Sequence, residues 1–129
     1  NSGQIKASLN EVGNNIKKGL VQAGDWSSAH TVATMVFDNV CPKAEVHEHA
    51  FDVWFVVKGT GKFILGGKLN NPERAGENEL VADSISGGES FVAKEGDIID
   101  IPPGVPHQID VRGGRMETVI VKISPKNYK

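Results

Sequence analysis

Gly96-Asp97-Ile98-Ile99-Asp100-Ile101-Pro102-Pro103-Gly104-Val105-Pro106-His107 reads as a tight turn, a short strand and a rigid corner that ends on a histidine. Proline fixes φ and has no N–H to donate, so a strand entering Pro102-Pro103 cannot run on through it. Gly104 allows the sharp reversal that follows. His107 is then delivered, held still, to the start of the next strand. A side chain placed this way suits a ligand to an ion; a plain β-turn carrying a surface histidine is the alternative for this segment alone.

On either side of that stretch, strand formers recur in short runs, at 31–37, 53–57, 62–65, 80–85, 90–93, 97–101, 108–111 and 117–123. Gly59-Thr60-Gly61, Gly66-Gly67, Gly87-Gly88 and Gly113-Gly114 punctuate them, as chain reversals require. Short strands at this spacing predict an all-β sandwich or barrel. Residues 68–78 are polar and turn-rich, and are read as a loop. Ahead of the strands, Ile5, Leu9, Val12, Ile16 and Leu20 fall at three-and-four spacing, which predicts a short helix over 4–23 that packs on the barrel or on a partner. The expected organisation is a helical segment over 1–24 and a barrel domain over 25–129.

The second informative stretch is His47-Glu48-His49, followed by Asp52. If 47–49 is a strand, the two imidazoles lie on one face, about 6.7 Å apart along the chain, and can converge on one ion. Glu48 then points the other way as a solvated charge. Asp52 is an odd number of residues after His49, so a turn or bulge at Ala50-Phe51 has to re-aim it; otherwise it is a turn-capping carboxylate. His30 is read as a surface or packing residue, Trp54, Phe63 and Phe91 as barrel lining or core, and Met35 and Met116 as core. Three imidazoles and a carboxylate form a donor set for a divalent transition metal.

Taken together, the two stretches resemble the cupin superfamily. Its first motif has H-x-H, an acidic residue a few positions on, then a glycine after six more; here six residues separate Asp52 from Gly59. Its second, G-x5-P-x-G-x2-H, is matched without a gap by Gly96, Pro102, Gly104 and His107. The resemblance runs from about residue 35 to 123, and the long interval between motifs is similar to that of small single-domain bacterial cupins. It implies a double-stranded β-helix, or jelly-roll barrel, with His47, His49, Asp52 and His107 as metal ligands. It also implies pairing through barrel edges, hence a homodimer. The chain departs from the pattern at Cys41, where a glycine is usual, at Val111, where asparagine is frequent, and in an acidic residue that is aspartate and one position early.

Such a donor set leaves one or two positions open on a six-coordinate ion, suiting Mn, Fe or Ni; without Asp52, tetrahedral Zn is an option. No general base stands out in the sequence. The expected function is that of a metal-dependent enzyme, dioxygenase-like or isomerase-like, acting on a small organic molecule; the alternative is a non-catalytic cupin that binds or senses such a molecule through its metal pocket. At 129 residues, 23% charged and net charge -2, nucleic acid and anionic membranes find no electrostatic attraction. A single cysteine permits no intrachain disulfide, and no apolar run reaches a membrane-spanning length. A soluble protein is expected, cytoplasmic or exported after signal removal, and the start at Asn1 fits processing, truncation or an expression remnant.

Overall fold

The computed structural model describes Leu20–Gln22 and residues 30–124, and every regular element in them is a β-strand. One sheet holds β1 (Leu20–Gln22), β2 (His30–Asp38), β12 (Arg115–Ile123), the first part of β4 (Phe51–Leu65) and β10 (Ile98–Ile101). The other holds β9 (Glu89–Lys94), the second part of β4, β11 (His107–Asp110), β3 (Ala44–His47), β7 (Glu79–Ala82) and β6 (Glu73–Gly76). A small hairpin joins β5 (Lys68–Leu69) to β8 (Ile85–Ser86). All of these pairings are antiparallel.

β4 belongs to both sheets and joins them. The sequence predicts two strands here with a turn at Gly59-Thr60-Gly61; instead the chain runs straight through, and the register against β12 slips by one residue between Glu117 and Thr118. The glycines serve strand approach, not reversal. Gly59 has φ 81°, and a Cβ on it would lie 2.0 Å from the Arg115 carbonyl oxygen. At Gly61 a Cβ would press on Ile109, Val111 and Met116 in the core.

Between the sheets lies the main apolar core, threaded by four aromatic rings. Phe37 stacks on Trp54 at 5.4 Å, Trp54 meets Phe63 edge-on at 5.2 Å, and Phe63 stacks on Phe91 at 5.7 Å. Phe63 and Met116 are fully buried, as the sequence reading of Trp54, Phe63, Phe91 and Met116 requires. A smaller cluster of Ala44, Val46, Leu69 and Ala82 packs on the outer face of β3.

Three further expectations are corrected or bounded. The stretch read as a loop at 68–78 contains β5 and β6, whose pairing partners β8 and β7 come later in the chain. The last turn of the expected helix, at Leu20–Gln22, is a strand hydrogen-bonded to β2; the rest of that helix lies outside the described residues. Among the described residues no helix is long and apolar enough to cross a membrane.

Candidate metal centre

β3 is buried on both sides, and strand alternation sorts its residues. Ala44 and Val46 face the small outer cluster, while Glu45 and His47 face a cavity of about 280 Å³ inside the barrel. After His47 the strand ends, and the Glu48 backbone N–H turns to the Asn78 carbonyl at 2.9 Å. The alternation that would have carried His49 to the same face is broken there. His49 instead lines a separate hollow with Glu48, Lys68 and Leu69. Glu48 accepts a hydrogen bond from Arg74 at 2.8 Å on the surface, the outward charge expected of it.

The same break re-aims Asp52. β4 resumes at Phe51, and Asp52 is 3% exposed, with Oδ2 3.1 Å from His47 Nε2. From the other motif, the proline corner delivers His107 as expected. Gly104, at φ 80°, donates its N–H to the His47 carbonyl at 2.9 Å and so ties the two stretches together. The His47 and His107 rings lie 5.0 Å apart between centroids. The ligand atoms of Glu45, His47 and His107 all fall within 4.8 Å of one another.

Hydrogen bonds fix how these rings present themselves. His47 donates Nδ1–H to Glu79 Oε2 at 2.5 Å, and His107 donates Nδ1–H to the Val105 carbonyl at 3.1 Å. With Nδ1 engaged on the outer side, each ring turns Nε2 toward the cavity. Glu45 Oε2 is 3.1 Å from His47 Nε2 and 3.9 Å from His107 Nε2. An outer carboxylate or carbonyl holding the far nitrogen of an imidazole is the arrangement metal-ligating histidines use.

The charges ask for a cation at this place. Burial, the largest single influence on His47, disfavours its charged form, yet its hydrogen bonds to Asp52 and Glu45 outweigh that and raise its pKa from 6.5 to about 10. Burial lowers the His107 pKa, and the nearby His47 adds to this. Burial works against the Asp52 carboxylate too, but His47 and Lys122 bring its pKa down overall. Without metal, then, a proton on His47 occupies the position between two carboxylates that a divalent ion would take. Two imidazole nitrogens and a carboxylate oxygen fit such an ion.

Two predictions follow from this geometry. Glu79→Gln is expected to weaken metal binding by about 10- to 100-fold, measured by competition with a chelator, with little change in fold because the Glu79 side chain is 40% exposed. Secondly, metal loading near neutral pH is expected to release about one proton, that of His47, seen as a dependence of the calorimetric heat on buffer ionisation. The linked stability has a definite sign. With the His47 pKa raised in the fold, its contribution to the metal-free protein is full below about pH 6.5 and is lost as pH climbs through about 10.

The fold has clear counterparts among solved structures. A Klebsiella pneumoniae protein with a double-stranded β-helix domain superposes with TM-score 0.58 at 18% identity, over 95% of this chain and 90% of that one. The cupin domain of Schizosaccharomyces pombe Cnp3 gives 0.57 at 6% identity, over 81% of this chain and 59% of that one. This chain has the cupin fold. The DMSP lyase DddQ of Ruegeria pomeroyi shares it, with TM-score 0.55 at 12% identity over 80% of this chain and 42% of that one. No family model matches the sequence, and no curated protein does.

Within the cupin fold, three site residues escape the sequence reading. Glu45 stands two before His47, and an alternation count from His47 backward would have found it. Glu79 reaches His47 from β7, 32 positions away, with no local signal. Lys122 lies with Nζ 3.3 Å from Asp52 Oδ1, because β12 pairs it directly with Asp52. A charged side chain next to the site, which the sequence did not reveal, is therefore present. The cavity is lined from β2, β3, β4, β11 and β12 and from Pro42 and Lys43 ahead of β3, with β7 lending Glu79 from behind His47.

Proposed function

We propose that the chain binds a divalent transition metal through Glu45, His47 and His107 and uses it as an enzyme on a small organic molecule, with oxygenase-like chemistry. The observation that carries this is the donor set: two imidazole nitrogens and one carboxylate oxygen facing a cavity with room left beside them. Two histidines and a carboxylate with open positions suit non-haem Fe(II) oxygen chemistry; Mn or Ni fits the same donors. When bound, the ion supplies a Lewis-acid and redox centre. The protein holds the imidazoles in one tautomer through Glu79 and Val105. It also shields the site with Met35, Phe37, Trp54 and Ile120.

A second reading has its own support. The Asp52–Lys122 pair at 3.3 Å brings a carboxylate and an ammonium to the cavity, the groups that an isomerisation or elimination needs for proton transfer. Metal-loaded protein assayed against small enols, diols and carboxylic acids, with and without oxygen, separates the two. Turnover that consumes oxygen is the expected result. Undiminished turnover under anaerobic conditions would favour proton transfer. Absence of turnover with Fe, Mn, Ni and Zn, alongside thermal stabilisation by one of these molecules, would leave a non-catalytic binder.

A further inference from the structure

The cavity has the proposed metal ligands on one wall and an ion pair with an indole on the other. Glu45, His47 and His107 form the first. On the second, strand register places Thr31, Lys122 and Asp52 in one row across β2, β12 and β4, and Ala33, Ile120 and Trp54 in the next. Trp54 lines the cavity, and its indole N–H is buried with no hydrogen-bond partner among the described residues. A buried donor left unpaired costs about 1–3 kcal/mol, a cost that this wall of the cavity carries. Asp52 Oδ1 likewise takes no aligned hydrogen bond, although the Lys122 ammonium is 3.3 Å away. Charge holds the ammonium near Asp52 while its donors are not committed to that oxygen.

Charge decides what would fill the gap. Within the cavity Glu45 offsets one charge of a divalent ion, the two imidazoles carry none, Asp52 and Lys122 offset each other, and Lys43 has Asp83 as its partner at 3.6 Å, while Glu79 lies behind His47 with its side chain 40% exposed to solvent. One positive charge is left over in a space walled by Met35, Trp54 and Ile120, where an unbalanced charge is costly. A monoanion balances it, whereas a phosphate dianion overshoots, and among the described residues no arginine fork lines the cavity to grip one. Given about 280 Å³ of mostly apolar space, we propose that the cavity binds a small monocarboxylate with an apolar body, its carboxylate received by Lys122. This rests on the metal reading above for the excess charge. Lys122 is thus a specificity-determining residue.

Calorimetric titration of manganese-loaded protein with hexanoate and hexanamide tests it, on the unaltered chain and on Lys122→Gln and Lys122→Arg. The unaltered chain is expected to prefer hexanoate by about tenfold or more, the worth of one charge-assisted hydrogen bond. Lys122→Gln should lose that preference and keep its manganese, and Lys122→Arg should retain both. Equal binding of acid and amide, no binding of hexanoate, or an undiminished preference in Lys122→Gln would overturn the proposal. Loss of manganese together with hexanoate in Lys122→Gln would also overturn it, making Lys122 a counter-ion of the metal centre. If the unaltered chain takes up no manganese yet shows a Lys122-dependent acid preference, the carboxylate site stands and the metal reading alone falls.

Discussion

Glu45→Gln is expected to lower metal affinity by about a hundredfold or more, while His49→Ala leaves it nearly unchanged. Replacing an outer partner of a ligating histidine already costs about 10- to 100-fold, so losing a donor of the set itself should cost at least that. Glu45 Oε2 sits 3.1 Å and 3.9 Å from the two Nε2 atoms, whereas His49 lines a different hollow. Glutamine keeps the shape of the side chain and removes the charge, so the fold should be retained. Competitive titration with a chromophoric chelator reads the effect on both variants. Equal weakening by the two substitutions, or a larger loss in His49→Ala, would restore the three-histidine set that the sequence suggests.

Gly59→Ala is the second large effect, and it acts on the fold. A Cβ there would be 2.0 Å from a backbone carbonyl of β12, at a φ of 81° that side-chain-bearing residues avoid. Backbone cannot swing aside as a flexible side chain can, so β4 and β12 would have to separate where β4 passes from one sheet to the other. The strain at positive φ alone is about 1–3 kcal/mol, and the clash adds to it; a total loss above about 3 kcal/mol is expected. Urea denaturation measures it. Gly104→Ala makes the matched control, since a Cβ there meets nothing within 4 Å and only the backbone cost remains. Similar losses for the two variants would mean that strand approach at Gly59 matters little.

Much of this architecture can be read from residues alone, for physical reasons. Runs rich in Val, Ile and Thr at 31–37 and 117–123 become β2 and β12 because branched and aromatic side chains pack well on a pleated surface. Pro102-Pro103-Gly104 becomes a corner because its residues allow little else. Local signals mislead where a distant contact decides. Gly59-Thr60-Gly61 looks like a turn, but what requires glycine is the carbonyl of Arg115, far along the chain. H-x-H implies one strand running through His49, yet the strand ends at His47, with the Asn78 carbonyl taking the next N–H. Glu79 and Lys122 reach the site through pairing register, which a sequence does not display.

In the proposed centre Glu45, His47 and His107 share one cation. Crystals of the iron- or manganese-loaded protein, with diffraction recorded at the metal edge, test it most directly. An anomalous peak bonded to Glu45 Oε2 and to the Nε2 atoms of His47 and His107 is the predicted result. A peak bonded to His49, or metal-soaked crystals with no peak in the cavity, would contradict it.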